Sequence, residues 1–395
     1  MMSMIRRFII LTLISITLFA GLIPVQVQAQ PPTGPDDVGI DELEQFTEIE
    51  VRAKVEDAKI NPDRDDEYGP GTRVQEVTLT VTSDEIKGEV LFIENILMGN
   101  PAYDLVVEEG DRVLVGIQGS LEEMEEVYLK EFVRDRALFV LAGAFILLLL
   151  VIGRLKGLKT VITLGLTVLM IIYLLIPGIL RGYSPILLAV AVSAVVTLIT
   201  ILIIGGINRK SVSAIIGILG GVFIAGVIAL FVGGRIQLTG FSSQEAVMLL
   251  YIPQEIELNV RGLLFAGIII GSLGAVMDVG ISIASSMQEV LYANPSISGS
   301  DLRKAGFNVG RDIMGTMSNT LILAYVGSAI PLLILFSAYE ASFTDIINLD
   351  VIATEVVRAV AGSIGLILSV PITVYAGGML MKKTVKENRP GKVTE

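Results

Sequence analysis

Between about residue 47 and residue 135, apolar and polar residues alternate with a period of two. TEIEVRAKV, TRVQEVTLTVTS, IKGEVLFIENI and DRVLVGIQ are rich in Val, Ile and Thr, and turn signals such as GPGT and EEGD separate them. The pattern predicts a folded β domain of about five strands, a small barrel or sandwich, with an OB-like barrel as one option. From Ala137 the alternation gives way to seven apolar runs, near 137–153, 160–179, 185–205, 211–232, 262–282, 316–338 and 356–379. Each is close to the ~20 residues that cross a bilayer. The fold class predicted is a membrane all-α bundle of about seven transmembrane helices with an N-terminal extracytoplasmic β domain.

The flanks complete the organisation. Residues 1–29 place Arg6 and Arg7 before an apolar stretch that ends in VQA, the pattern of a signal peptide or of an uncleaved first helix. Residues 30–46 form a Pro-, Gly- and acid-rich linker. The β domain then occupies 47–135, the membrane domain 136–381 and a basic tail 382–395. Basic residues cluster after the first run (Arg154, Lys156, Lys159), the third (Arg209, Lys210), the fifth (Arg303, Lys304, Arg311) and the last (Lys382, Lys383, Lys386, Arg389, Lys392). Under the positive-inside rule this bias puts the C-terminus in the cytoplasm and residues 30–135 outside. The leader segment requires the same orientation. The expected location is a bacterial plasma membrane, crossed many times.

Composition narrows the chemistry. The chain is 52% hydrophobic with a mean hydropathy of +0.72, and it contains no Cys, His or Trp. Thiolate and imidazole catalysis are therefore excluded, as are soft-metal sites built on them. No GxxxxGK[ST] phosphate loop and no HExxH are present. The chain reads as neither an enzyme nor a cofactor-binding protein. The net charge of −12 is uneven: residues 30–135 carry 28 acidic against 9 basic residues, while the rest is slightly basic. Nucleic acid is not an expected partner. Asp63, Asp65, Asp66 and Glu67 resemble a loose cation loop but lack the EF-hand order of ligands, and a solvated acidic turn is the simpler reading.

Two polar stripes interrupt the apolar runs. On a helix, Asp278, Ser282, Ser285 and Glu289 fall at +4, +7 and +11, on one face. Asp312, Thr316 and Asn319 fall at +4 and +7, beside Gly315. Gly267 and Gly271, extended by Gly274, form one small-residue row, and Gly217 and Gly221 another. Two readings stand. The stripes line a substrate or ion pathway between the fifth and sixth helices, or Asp278 sits at headgroup level and pairs with Arg303, Lys304 or Arg311. Glu355 and Arg358, spaced i,i+3, suit an ion pair at the outer interface. Residues 283–315 admit either a short amphipathic or re-entrant element or an ordinary loop. Asp278 and Asp312 as an aspartyl protease pair lack the flanking motifs such a protease needs.

GSLGAVMDVGISIASSMQEV (271–290) followed by NVGRDIMGTMSNTLILAYVG (308–327) resembles the YibE/F-like family of bacterial multi-pass membrane proteins. VRDRALFVL (133–141), IGRLKGLKTVITL (152–164) and the turn GDRVLV (110–115) fit the same pattern. The resemblance implies this architecture and directs attention to Asp278 and the Arg311–Asp312 pair; it supplies no substrate. The function expected is a permease or transporter for an ion or small solute, with oxygen ligands suited to protons or hard cations. The rival is a non-transporting membrane sensor or assembly scaffold whose outer domain binds a partner. Besides the lipid bilayer, a homo-oligomer or a membrane partner remains open.

Overall fold

The structure, a computed structural model, describes residues 49–83, 86–119, 124–252, 258–340 and 342–387. The leader, the linker, the first two residues of the β domain and the tail from 388 onward lie outside the described residues. The chain forms two units that divide at Leu138.

The first unit is an antiparallel sheet of five strands: β1 (Ile49–Asn61), β2 (Arg73–Val81), β3 (Val90–Leu97), β4 (Arg112–Gly119) and β5 (Met124–Phe132), in the order β3-β2-β1-β4-β5. The four segments quoted above fall on β1 to β4. The charged sequence of β5, MEEVYLKEF, hides its strand character. β1 pairs with β2 on one side and β4 on the other, and a register shift between Val55 and Asp57 bends it. Alternation puts Val51, Ala53 and Val55 on one face with Val77, Leu79, Val81, Val113, Val115 and Ile117, all buried. The long loop after β3 is tied to the sheet by the buried Gln75, whose amide nitrogen donates to the Val107 carbonyl at 2.7 Å. Asn95 donates to the Leu105 carbonyl at 2.7 Å. The acidic turn is held by protein groups: Arg64 donates to Glu67 and to Glu94, and Asp66 accepts from the Gly71 amide.

The second unit is helical. α1 (Asp135–Met170) carries the chain into it and has a break at Arg154, where φ is 48° and ψ is −127°. A Cβ at Gly157 would collide with the carbonyl oxygen of Leu149, eight residues earlier. In a straight helix those two positions lie about 12 Å apart, so the chain folds back at Arg154. A π-turn (Ile171–Leu175) then leads into α2 (Ile176–Leu180). Pro177 explains the widened turn, since its ring displaces residue 173 and it offers no N–H. α3 (Pro185–Gly205) ends at Gly206, whose φ of 74° an L side chain resists. α4 (Arg209–Arg235) is capped by Asn208, which accepts from the Ser211 amide at 2.9 Å. After the short α5 (Gln244–Met248) come α6 (Val260–Ala293) and α7 (Gly299–Ser328). α8 (Ile330–Ala338), α9 (Phe343–Asn348) and α10 (Asp350–Glu387) complete the unit.

Five helices are long and apolar enough to cross a membrane, with Asp135–Leu180 taken as one; α7 and α8, bent by 57° where Pro331 starts the new helix, make a sixth if joined. The expected 316–338 run is thus divided between α7 and α8 by a bend. Residues 283–315 are mostly helix, with a short loop at 294–298: α6 continues to Ala293, and α7 begins at Gly299 behind the Ser298 cap. At about 51 Å, α6 outlasts the ~30 Å hydrocarbon core. The last helix likewise runs past 381, to Glu387.

The core of the bundle is the α4–α6–α10 contact, and glycine makes it close. A Cβ at Gly217 would collide with the Thr373 hydroxyl, and one at Gly221 would stand 2.7 Å from the Gly365 carbonyl oxygen. Ile218, Val276, Val279, Ile283, Ala284, Met287, Leu366 and Val374 are fully buried around it. Gly217→Ala should lower the stability of the detergent-solubilised protein by about 1–3 kcal/mol through forced separation of α4 and α10. Gly143→Ala, at an exposed α1 position with nothing within 4 Å, should be neutral or stabilising by up to about 1 kcal/mol. Thermal unfolding of both variants checks the contrast.

In the sheet, hydrogen bonds from Arg64 hold Glu67 and Glu94 below the usual carboxylate range. Both carboxylates have depressed folded values, so their contribution is present above the unfolded value of about 4.3 and is lost as pH falls through the lower folded one. Arg64→Met should therefore weaken amide protection in β2 and β3 at neutral pH. That difference from the parent should close in acid, and pH-dependent hydrogen exchange measures it.

Candidate functional site

The helix contacts fix how deep each polar residue lies. α4 is the ruler, because its apolar stretch is bounded by Arg209–Lys210 at one end and Arg235 at the other. A Cβ at Gly280 would stand 2.6 Å from Ile218, and one at Gly221 would stand 2.9 Å from Val276. Asp278 lies between those two positions of α6, level with residues 218–221 of α4. That is roughly 12–17 Å in from Lys210, well inside the apolar zone.

α7 is placed through α10. Gly310 abuts Val370 and Ile283, and α10 meets α4 through Ser369 at Gly221 and Thr373 at Gly217. Arg311 and Asp312 therefore fall in the same broad slice of the bundle, within about 8 Å of the level of Asp278. At the other end, Gly378 abuts the Arg303 side chain, and Arg209 donates to the Leu380 carbonyl at 3.1 Å. Arg303 thus marks the basic boundary, about 12–14 Å from Arg311 and Asp312. Asp278 makes no ion pair with Arg303, Lys304 or Arg311 among the described residues, the pairing that the headgroup-level alternative invoked. Lys304 pairs instead with Asp301 at 3.7 Å.

Asp278, Arg311 and Asp312 are all exposed on the protein surface, and none makes a hydrogen bond or ion pair among the described residues. Arg311, offered by the sequence as an ion-pair partner, therefore has none there. Asn319 is exposed on the same side of α7 as Asp312 and Thr316, and the Thr316 hydroxyl donates to the Ile313 carbonyl at 3.0 Å. Ser282 and Ser285 are half-buried on the continuation of α6. Glu289 is exposed beyond Met287, which touches Gly377 near the basic boundary, so it stands outside the slice. Among the described residues no three carboxylates converge as they would around a metal ion.

The row that begins with Gly267, Gly271 and Gly274 continues to Asp278. A Cβ at Gly271 would meet the Tyr325 hydroxyl of α7 at 3.2 Å, while Gly267, Gly274 and Gly315 have open space above them. Interpolating from Ile283–Gly310 to Gly271–Tyr325 puts Asp278 about level with Gly315 and Thr316. Over the roughly 12 Å of α7 between Arg311 and Asn319, the two helices present glycines, two carboxylates, a guanidinium and a carboxamide. At the centre of a bilayer an exposed Asp or Arg costs about 2.5–3.5 kcal/mol on insertion scales. Such a patch needs water, a cation or protein over it. Sequence spacing finds Asp278, Asp312, Thr316 and Asn319. It misses Arg311 as a member of the patch, although its adjacency to Asp312 was the available signal.

Glu355 and Arg358 form an ion pair at 2.8 Å on α10, level with Arg235 of α4. The Arg358 guanidinium lies 5.9 Å from the Tyr325 ring centre. The second oxygen of Glu355 is buried with no hydrogen bond among the described residues.

No curated protein and no solved structure matches the chain. The YibE/F-like protein family model, in contrast, matches residues 141–383, the whole stretch that holds α6, α7 and the patch between them. The chain belongs to the YibE/F-like family.

Proposed function

We propose that the chain is a multi-pass permease whose polar pathway follows the α6–α7 face, with Asp278 as the carboxylate that couples movement to a proton or hard cation. Asp312, Thr316, Asn319, Ser282 and Ser285 supply further oxygens along the route. The observation that carries this reading is that Asp278, Arg311 and Asp312 lie within about 8 Å of one level inside the apolar zone, all exposed and without partners among the described residues. Ionisable groups in that position usually mark ion or substrate paths.

The reversal at Arg154 supports counting 135–153 and 155–180 as two spans, seven in all. The loop charges support a cytoplasmic C-terminus and a β unit outside the plasma membrane. The strand order β3-β2-β1-β4-β5 suits an OB-like barrel.

Proton and cation flux in phosphatidylethanolamine–phosphatidylglycerol proteoliposomes tests the permease. Asp278→Asn should lower flux by about tenfold or more, while Asp301→Asn, at the boundary, should leave it unchanged. Absence of flux from the parent protein, or equal flux from Asp278→Asn, sinks the permease in favour of a membrane-anchored scaffold.

A further inference from the structure

The patch is open on one side, and that side is a face of α7. Asn308, Arg311, Asp312, Thr316, Asn319 and Thr320 are all exposed along it. α7 packs on α6 and α10 through its other positions, with Leu302, Gly306 and Gly310 buried. A face of this polarity cannot rest against lipid tails. Nor can the first half of α1 satisfy it: residues 137–153 contain no side chain able to make a hydrogen bond.

We infer that a second copy of this chain covers the face, α7 against α7, and that the polar pathway lies at this junction rather than inside one protomer. The argument is self-complementarity. Copies inserted in the same orientation are related by an axis along the membrane normal, so their α7 helices run in the same direction. Equivalent residues then meet at equal depth. Arg311 and Asp312 differ by one residue, about 1.5 Å in height and 100° around the helix. Each Arg311 can thus meet the partner's Asp312 and return the same pairing. The amide of Asn319 both donates and accepts, so it can bond its own symmetry mate. Gly315, with nothing within 4 Å, lets the two backbones approach. A single cation beside a single anion on an otherwise neutral face is what a two-fold contact requires.

The inference rests on the permease reading only for the use made of the covered face, and the two fail separately. The chain has no cysteine, so single cysteines report cleanly. In membranes of the full-length protein, Asn319→Cys and Thr316→Cys should give a disulfide-linked dimer on mild oxidation. Phe223→Cys, exposed on α4, should not. Arg311→Asp and Asp312→Arg, each added to Asn319→Cys, should weaken the dimer about tenfold or more through like-charge contact. The same two chains expressed together should cross-link to each other at the parent level. Mutual rescue distinguishes lost pairing from misfolding, because two misfolded chains do not repair one another. Dimer without flux leaves this inference standing and removes the permease; flux from a protein that never cross-links through α7 does the reverse. Cross-linking of residue 319 to another protein, or to nothing, overturns the inference.

Discussion

Hydrocarbon offers no hydrogen bonds, so every polar group placed in the apolar zone must be satisfied by protein or by water that protein admits. In this chain that constraint acts through one hairpin. α6 and α7 carry Asp278, Arg311 and Asp312 to within about 8 Å of one level, and the α4–α10 contact sets where that level lies. Glycines at 217, 221 and 365 bring the two backbones together and lock the register between them. Ile218 then meets Gly280 and Val370 meets Gly310, so the charged residues cannot slide toward the headgroups without unpacking the best-buried part of the bundle. The energetic cost of the patch is borne by the packing behind it.

Much of this was legible in the sequence. The period-two alternation marks four of the five strands, and the +4 and +7 spacings of the polar stripes are those the helices present. Depth was not legible, for a physical reason. Hydropathy falls where the stripe begins at Asp278, so the apolar run appears to stop near 282, yet the helix continues to Ala293. A helix boundary and a membrane boundary are different things, and only contacts with distant segments separate them. The contact between Gly217 and Thr373 joins residues far apart in the chain, and one-dimensional periodicity carries no trace of it. The break between α7 and α8 was not legible for a related reason, since a proline such as Pro331 can end a membrane helix or sit inside one.

The family match covers residues 141–383 and excludes the sheet. The two units differ in how each achieves closure. The sheet buries its inner face within itself, with Gln75 and Asn95 sewing its long loop in place. The helical unit leaves α1 exposed along most of its length and leaves one face of α7 uncovered. An apolar exposed helix is at home in lipid; a polar one is not. The asymmetry between α1 and α7 therefore says more about assembly than either helix does alone.

Charge counting within the slice then assigns roles. The slice holds two carboxylates and one guanidinium. Across the proposed dimer, Arg311 and the partner's Asp312 neutralise each other on both sides of the axis, and Asn319 pairs with its own mate. That leaves Asp278 as the carboxylate without a counter-ion, set among glycines that keep the space beside it open. A buried ion pair resists exchange because breaking it strands two charges, whereas an unpaired carboxylate beside a wet gap can take and release a proton or a hard cation. In the proposed dimer, then, Arg311 and Asp312 would hold the junction together, and Asp278 would be the group with something left to exchange.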